Sequence, residues 1–345
     1  MATRKQKTIA QHAGELELIA GIRKRVARLG QAGRGGVRLG IGDDCALLRI
    51  KAGEELAVTT DLTLDGRHFR LDWHPAEAVG HRTLARGLSD LAAMGARPVA
   101  AFLSLGLPAE LTRARRGQKP WVARFYDGLL ALAEAHQTPL AGGDLAQSPL
   151  AVADIVLVGA VRAELALKRS GARVGDAIYV TGRLGGAALG LELLAQNNGK
   201  PRRAAHPELE TALGPHLYPQ PRLEQGQTLS RRKLATAAMD LSDGLSMDLP
   251  RLCAESGVAA EVEAELIPCF PGATLGQALH GGEDYELLFT ARPGTRLPKA
   301  IGGVPLTRIG QVVARRKGRS VVSLIREGHR TALAAGGWEH FGARG

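Results

Sequence analysis

Short β-branched runs alternate along this chain with Ala/Leu-rich helical stretches, and an aspartate repeatedly stands where an apolar run stops, beside Gly, Ser or Thr. The alternation points to α/β architecture of the α+β type. The acids are Asp43 and Asp44 in "LGIGDDCALL", Asp61 in "ELAVTTDLTLDGRHF", Asp90 in "LSDLAAMGA", Asp144 in "PLAGGDLAQSP", and Asp240 and Asp243 in "LATAAMDLSDGLSMDL". A Gly-Asp surface turn would explain any one of them. Their repetition in a chain of net charge +11 reads instead as convergent groups at the C-terminal ends of strands, where open α/β sheets bind ligands.

That many carboxylates cannot share a site while ionised unless cations neutralise them. Oxygen donors with no His/Cys spacing nearby favour a hard ion, Mg²⁺ over Zn²⁺. Mg²⁺ held by protein carboxylates takes its remaining ligands from water and substrate phosphates, so nucleotide phosphoryl transfer is the expected chemistry.

Other classes fall away. With 345 residues, 45% of them hydrophobic, the chain is long enough for two domains, and the break is expected near 162–170, giving 1–162 and 163–345. No stretch approaches the ~18 to 20 apolar residues of a membrane span, and the basic N-terminus is followed by no apolar signal core. Cys45, Cys253 and Cys269 are scattered, which argues against disulfides or zinc and for a reducing cytoplasm. The basic runs at 112–119, 200–206 and 314–319 lie beside Gly or Pro without interleaved aromatics, so they read as solvated loops rather than a nucleic-acid surface. "GRLGGAALG" lacks the G-x-G-x-x-G spacing and the downstream acid of a dinucleotide fold, and no Walker pattern occurs.

Helices are expected over 14–26, 75–94 (capped by Gly95) and 121–136, and strands over 55–69, 100–108 and 154–161. A strand, turn and helix follow over 175–194 and again over 234–249, separated by a polar connection around 197–221. "GGD" is expected to be a turn.

The segments "GIGDDCALL", "TTDLTLDGRHF", "LSDLAAMGARP", "GGD", "LKRSGARVGDAIYVTG", "MDLSDGL", "GGEDYELLFT" and "GWEHF", in this order from about residue 14 to 341, resemble the thiamine-monophosphate kinase family of the aminoimidazole-ribonucleotide-synthetase-like superfamily. The resemblance implies Mg²⁺-dependent transfer of the ATP γ-phosphoryl group to thiamine monophosphate. It also implies a homodimer whose N-terminal sheets share a barrel, with clefts lined by both domains. Carried over by position, Asp44, Thr59, Thr60, Asp61, Asp90, Asp144, Asp240 and Asp243 correspond to Mg²⁺ ligands. Tyr126, Gly143, Asp144, Arg169 and Ser242 correspond to ATP contacts, and His68, Glu283 and Trp338 to thiamine-phosphate contacts. On the residues alone, the favoured readings are a satisfied loop histidine for His68 and a C-terminal packing anchor for Trp338.

The chain departs from the family pattern in places. Leu145 and Ala146 follow "GGD" where hydroxyl residues are usual, Pro250 falls within the helix after "SDGLSMDL", predicting a kink, and the basic insertion at 112–119 has no assigned role. The alternatives are another ATP-using synthetase of the superfamily and, from a different class, a basic nucleic-acid-binding protein.

Overall fold

The computed structural model describes residues 15–28, 36–41, 45–114, 117–196, 199 and 213–337. Asp43, Asp44 and Trp338, part of the 112–119 insertion and most of the polar connection lie outside the described residues.

Helix α1 (Glu15–Arg28) precedes a small antiparallel pair, β1 (Val37–Leu39) and β2 (Leu47–Leu48). The first large sheet has four strands: β3 (Glu54–Leu64), β4 (Arg97–Leu107), β5 (Leu140–Gln147) and β6 (Val152–Arg162), in the order β3-β6-β4-β5. Successive side chains of a strand take opposite faces. Thus Ala57, Thr59, Asp61 and Thr63 of β3 face inward, while Leu56, Val58, Thr60 and Leu62 line the open face.

Helices α2 (Ala76–Ala93) and α3 (Trp121–Ala135) cover the inner face, burying Leu84, Leu88, Leu91, Phe125 and Leu129 against Ile155 and Leu157. They cross at glycines. A Cβ added at Gly80 or Gly128 would lie 1.9 Å from the carbonyl oxygen of Phe125 or Glu77, so this approach needs residues without side chains.

The second sheet has eight strands. Helices α4 (Gly186–Gln196), α5 (213–217), α6 (Leu223–Arg231), α7 (Leu245–Ser256) and α8 (Leu275–His280) are interspersed with β7 (Ala177–Thr181), β8 (Ala237–Asp240), β9 (Ala259–Glu263), β10 (Leu287–Ala291), β11 (Ala300–Ile301), β12 (Val304–Val313), β13 (Val322–Arg326) and β14 (His329–Ala332). Its order is β14-β13-β9-β12-β7-β10-β8, with β11 beside β12. The two sheets share a core, since Leu223, Leu229, Leu234, Leu287 and Phe289 join the cluster around α2. A Cβ at Gly226 of α6 would lie 1.9 Å from the carbonyl of Ala92, so the small residues at the end of α2 do admit a second backbone.

Helix bounds agree closely with the sequence reading, and Gly95 takes the expected positive φ, +68°, just past α2. Helix α7 runs continuously through Pro250. Pairing between the named strands is antiparallel except for β4–β5 and β9–β13. Two expectations are corrected. Asp61 sits inside β3, opposite Ile155, and not at a strand end. "GGD" is no turn, because Gly142, Gly143 and Asp144 are ladder residues of β5 beside Phe102, Leu103 and Ser104. Gly143 has φ +144° and a Cβ there would lie 1.9 Å from the Leu103 carbonyl, so its glycine serves close strand approach. Among the described acids, Asp240, the last residue of β8, keeps the expected strand-end position.

Candidate active site

Helix α2 is wedged between the two sheets, and its polar residues fall on one stripe. Arg82, Arg86, Ser89 and Asp90 are spaced i, i+4, i+7, i+8, which places them on one helical face. The face borders a cleft of about 720 Å³, lined among others by Thr60, Asp61, His68, Asp90, Asp240, Ser242, Asp243 and Glu283.

At one end the carboxylates gather. Asp90 accepts a hydrogen bond from the Thr59 hydroxyl, and Asp240 accepts one from Ser89 Oγ at 2.7 Å. Burial, together with the neighbouring carboxylates, pushes both carboxyl pKa values upward, while the positive charge of Arg169 pulls both down. Asp61 Oδ1 accepts two bonds from Arg86, Nη2 at 2.8 Å and Nε at 3.1 Å.

Asp243 pairs with Arg251 at 2.5 Å in the turn entering α7. That turn is held by Asp248, whose Oδ2 accepts from the amides of Ser242 and Asp243 at 3.1 and 3.0 Å. Asp248 is fully buried, and burial raises its pKa to about 6.

At the other end the carboxylate already has its cations. Glu283 Oε2 accepts from Arg82 at 2.7 Å, and Arg86 Nη1 lies 3.8 Å from Oε1. Burial works against ionisation, but Arg82, His216 and Arg86 outweigh it and hold the pKa of Glu283 down to about 2. The backbone of His68 is tied to the same group, since its carbonyl accepts from Arg82 at 3.1 Å, and its Nδ1 accepts from the Leu64 amide at 3.1 Å.

The remaining expected residues fall elsewhere. Tyr126 is 3% exposed in the core of α3, its ring against Phe125, and does not line the cleft. Asp144 is exposed on the open side of the sheet beside Ser104, and neither it nor Gly143 lines the cleft. Arg169 is exposed, and its carbonyl accepts from Ser256 Oγ at 2.8 Å.

Sequence reasoning missed Arg82, Arg86, Ser89, His216, Asp248 and Asp284. The charged stripe "RTLARGLSD" within an otherwise apolar helix was a usable signal for the first three. Asp284 is the long-range cap of α4, accepting from the amides of Gly185 at 2.6 Å and Ala187 at 3.1 Å. No local pattern announces such a cap.

Among the described residues no three His, Cys, Asp or Glu side chains form a ready metal-binding group. The donor set nevertheless fits a hard cation. It consists of oxygens only, and the half-buried Asp90 and buried Asp240 have hydroxyl partners and no ion pair among the described residues. An ion that brings its own ligands, as Mg²⁺ does with water and phosphate oxygens, needs no complete protein cage.

The architecture defined by these two sheets belongs to a known class. Residues 42–161 match the AIR synthase related protein N-terminal domain, and residues 173–323 match the C-terminal domain of the same proteins. The thiamine-monophosphate kinase of Salmonella typhimurium is 41% identical over 340 residues, covering 95% of this chain and 98% of its own length. The crystal structure of the thiamine-monophosphate kinase from Stenotrophomonas maltophilia superposes with a TM-score of 0.76 at 37% identity, covering 93% of this chain and 99% of the other. The structure of AaThiL complexed with AMPPCP and TMP gives 0.72 at 30% identity, covering 95% and 97%. The chain belongs to the thiamine-monophosphate kinase family.

Proposed function

We propose that this protein transfers the γ-phosphoryl group of ATP to thiamine monophosphate, forming thiamine diphosphate. The observation that carries the reading is the cleft itself: an acid-rich end built from both sheets, and beyond it a separate, charge-compensated carboxylate, Glu283. The near full-length identity to kinases of this name supports it.

Asp44, Thr59, Thr60, Asp61, Asp90, Asp144, Asp240 and Asp243 are the residues that would hold Mg²⁺, which when bound supplies neutralisation of phosphate charge. Gly143, Asp144, Arg169 and Ser242 are assigned to ATP by family likeness, Gly143 and Asp144 from strand β5 outside the cleft wall. His68, Glu283 and Trp338 are assigned to the acceptor. Tyr126, enclosed in the α3 core, is left out of the ATP assignment.

The acceptor nucleophile is a phosphate oxygen, ionised near neutral pH, so no general base is required. The protein's task is to bring two anionic groups into line. Direct transfer follows, with one inversion at phosphorus. The test is purified protein with Mg²⁺, chirally labelled ATP and a panel of phosphorylated acceptors. Thiamine diphosphate formed with inversion is expected. Another favoured acceptor would overturn the substrate, and net retention would overturn direct transfer.

The open face of the four-stranded sheet supports a homodimer. Leu56, Val58 and Leu62 are 54%, 62% and 45% exposed, and contiguous apolar surface of this kind marks an interaction site. A second copy that pairs this face would close the sheet into the shared barrel. Val58→Lys should then yield monomers by sedimentation, and an unchanged dimer would remove this face from the interface. Three free cysteines suit a reducing, cytoplasmic setting. No helix among the described residues is long and apolar enough to cross a membrane.

A further inference from the structure

Behind Glu283 lies a buried polar array that the reaction itself does not call for. Arg82 is 3% exposed, and its described bonds all run toward the acceptor end of the cleft. Nη2 donates to Glu283 at 2.7 Å and to the His68 carbonyl at 3.1 Å, while Nη1 donates to His216 Nδ1 at 3.1 Å and to the His216 carbonyl.

A guanidinium can only donate, so Nδ1 of His216 carries no proton and Nε2 does. That Nε2–H faces His74 Nε2 at 3.0 Å, which must accept. His74 Nδ1 in turn lies against the backbone of Arg70, 3.2 Å from its carbonyl and 3.1 Å from its amide. Burial, followed by the charge of Arg82, lowers both imidazoles, His74 to about 4 and His216 well below 6.5, so both are neutral near pH 7.

The contacts thus link Arg82 through His216 and His74 to the backbone. They join α2, α5, the loop between β3 and α2, and the turn before β10. Glu283 itself has φ +67°, a conformation that residues with a side chain adopt at a cost. Something other than backbone preference holds it there.

We infer that Arg82, locked by the His216–His74 pair, is the positioning residue for Glu283, orienting its carboxylate for the acceptor across an element junction that includes α5. This rests on the reading of Glu283 as an acceptor contact. A freely rotating Arg82 would satisfy Glu283 in several geometries. With both ends of the guanidinium engaged, only one remains.

The test is a double-mutant cycle of Arg82→Met and Glu283→Gln in the full chain, reading KM for each substrate and direct binding of thiamine monophosphate by calorimetry. Arg82→Met is expected to weaken acceptor binding roughly tenfold or more, as truncation of one partner of a buried charge pair does. KM for ATP should change less than about twofold, because ATP is bound elsewhere. The double variant should be no weaker than the worse single one, since both changes disable the same group. Arg82→Lys should recover part of the loss, and His216→Phe should show a smaller loss of the same kind. These two variants carry the test if Arg82→Met does not fold.

Additive effects, or equal rises in both KM values, would overturn the positioning role. If Glu283→Gln leaves acceptor binding unchanged, the acceptor assignment fails, and the positioning role with it. If Glu283→Gln weakens binding and the Arg82 and His216 variants do not, the positioning role fails alone.

Discussion

The two ends of the cleft use the same functional group in opposite electrostatic states. At the acid-rich end Asp90 is half-buried and Asp240 buried, each with a hydroxyl, and desolvation pushes their pKa values up. At the far end Glu283 is half-buried, yet the guanidinium groups of Arg82 and Arg86 help hold its pKa down to about 2. The difference lies in where compensation comes from. Among the described residues Asp90 and Asp240 form no ion pair and gain from a cation delivered to them, whereas Glu283 carries its cations in the fold. Arg86 marks the border, with bonds to Asp61 on one side and a 3.8 Å contact to Glu283 on the other.

The largest effect should come from the acid-rich end. Asp240→Asn removes a charge that the phosphate and metal assembly needs, and turnover should fall by about 10³-fold or more. Stability of the metal-free protein should hold or rise, because an uncompensated buried charge has been removed and the amide can still accept from Ser89. Turnover rates together with thermal unfolding without metal check this. Wild-type turnover would break the comparison at its first term, and a large loss of Tm would show that Asp240 serves the fold.

Glu283→Gln should do the reverse in stability. It leaves Arg82, 3% exposed, without its ionic partner, and removing one member of a buried pair is more costly than never forming it. Tm should fall, with acceptor KM rising roughly tenfold and turnover at saturation much less affected. If Asp240→Asn and Glu283→Gln shift Tm in the same direction, the two ends are not electrostatically distinct.

The legibility of this site from sequence divides along the same line. The acids of the first end stand in short motifs, beside Gly, Ser and Thr, and their types alone suggested oxygen ligation of a hard ion. Their number misled about placement. Thr59, Thr60 and Asp61 are consecutive on β3, so they alternate faces, and Asp144 lies on the open side of its sheet. The second end was legible only as Glu283, His68 and Trp338 by family likeness. Its array depends on contacts between residues 134 to 201 positions apart, such as Arg82 with His216 and with Glu283, and nothing local in "HRTLARG" specifies them. Helices, by contrast, were bounded well because apolar periodicity and Gly or Pro stops are local signals.

The smallest expected effect separates two neighbours in sequence, Glu283 and Asp284. Both are carboxylates in the same turn, yet burial pushes Asp284 up to about 7 against the pull of the amides it caps, while Glu283 lies near 2. Linkage gives them opposite signs. Glu283 binds protons less tightly folded than unfolded, so its contribution grows as pH rises from about 2 to 4.5 and is complete above that. Asp284 binds protons more tightly when folded, so its contribution is full below 3.8 and is lost as pH rises towards 7. Between pH 4.5 and 7 only the second slope remains of the two. Asp284→Asn keeps an oxygen that can accept from Gly185 and Ala187 but removes the titration. The fall in Tm across pH 4.5 to 7 should therefore be shallower in the variant. Parallel Tm curves for wild type and Asp284→Asn would mean that Asp284 is ionised throughout, its charge held by the amides of α4 much as Glu283 is held by Arg82.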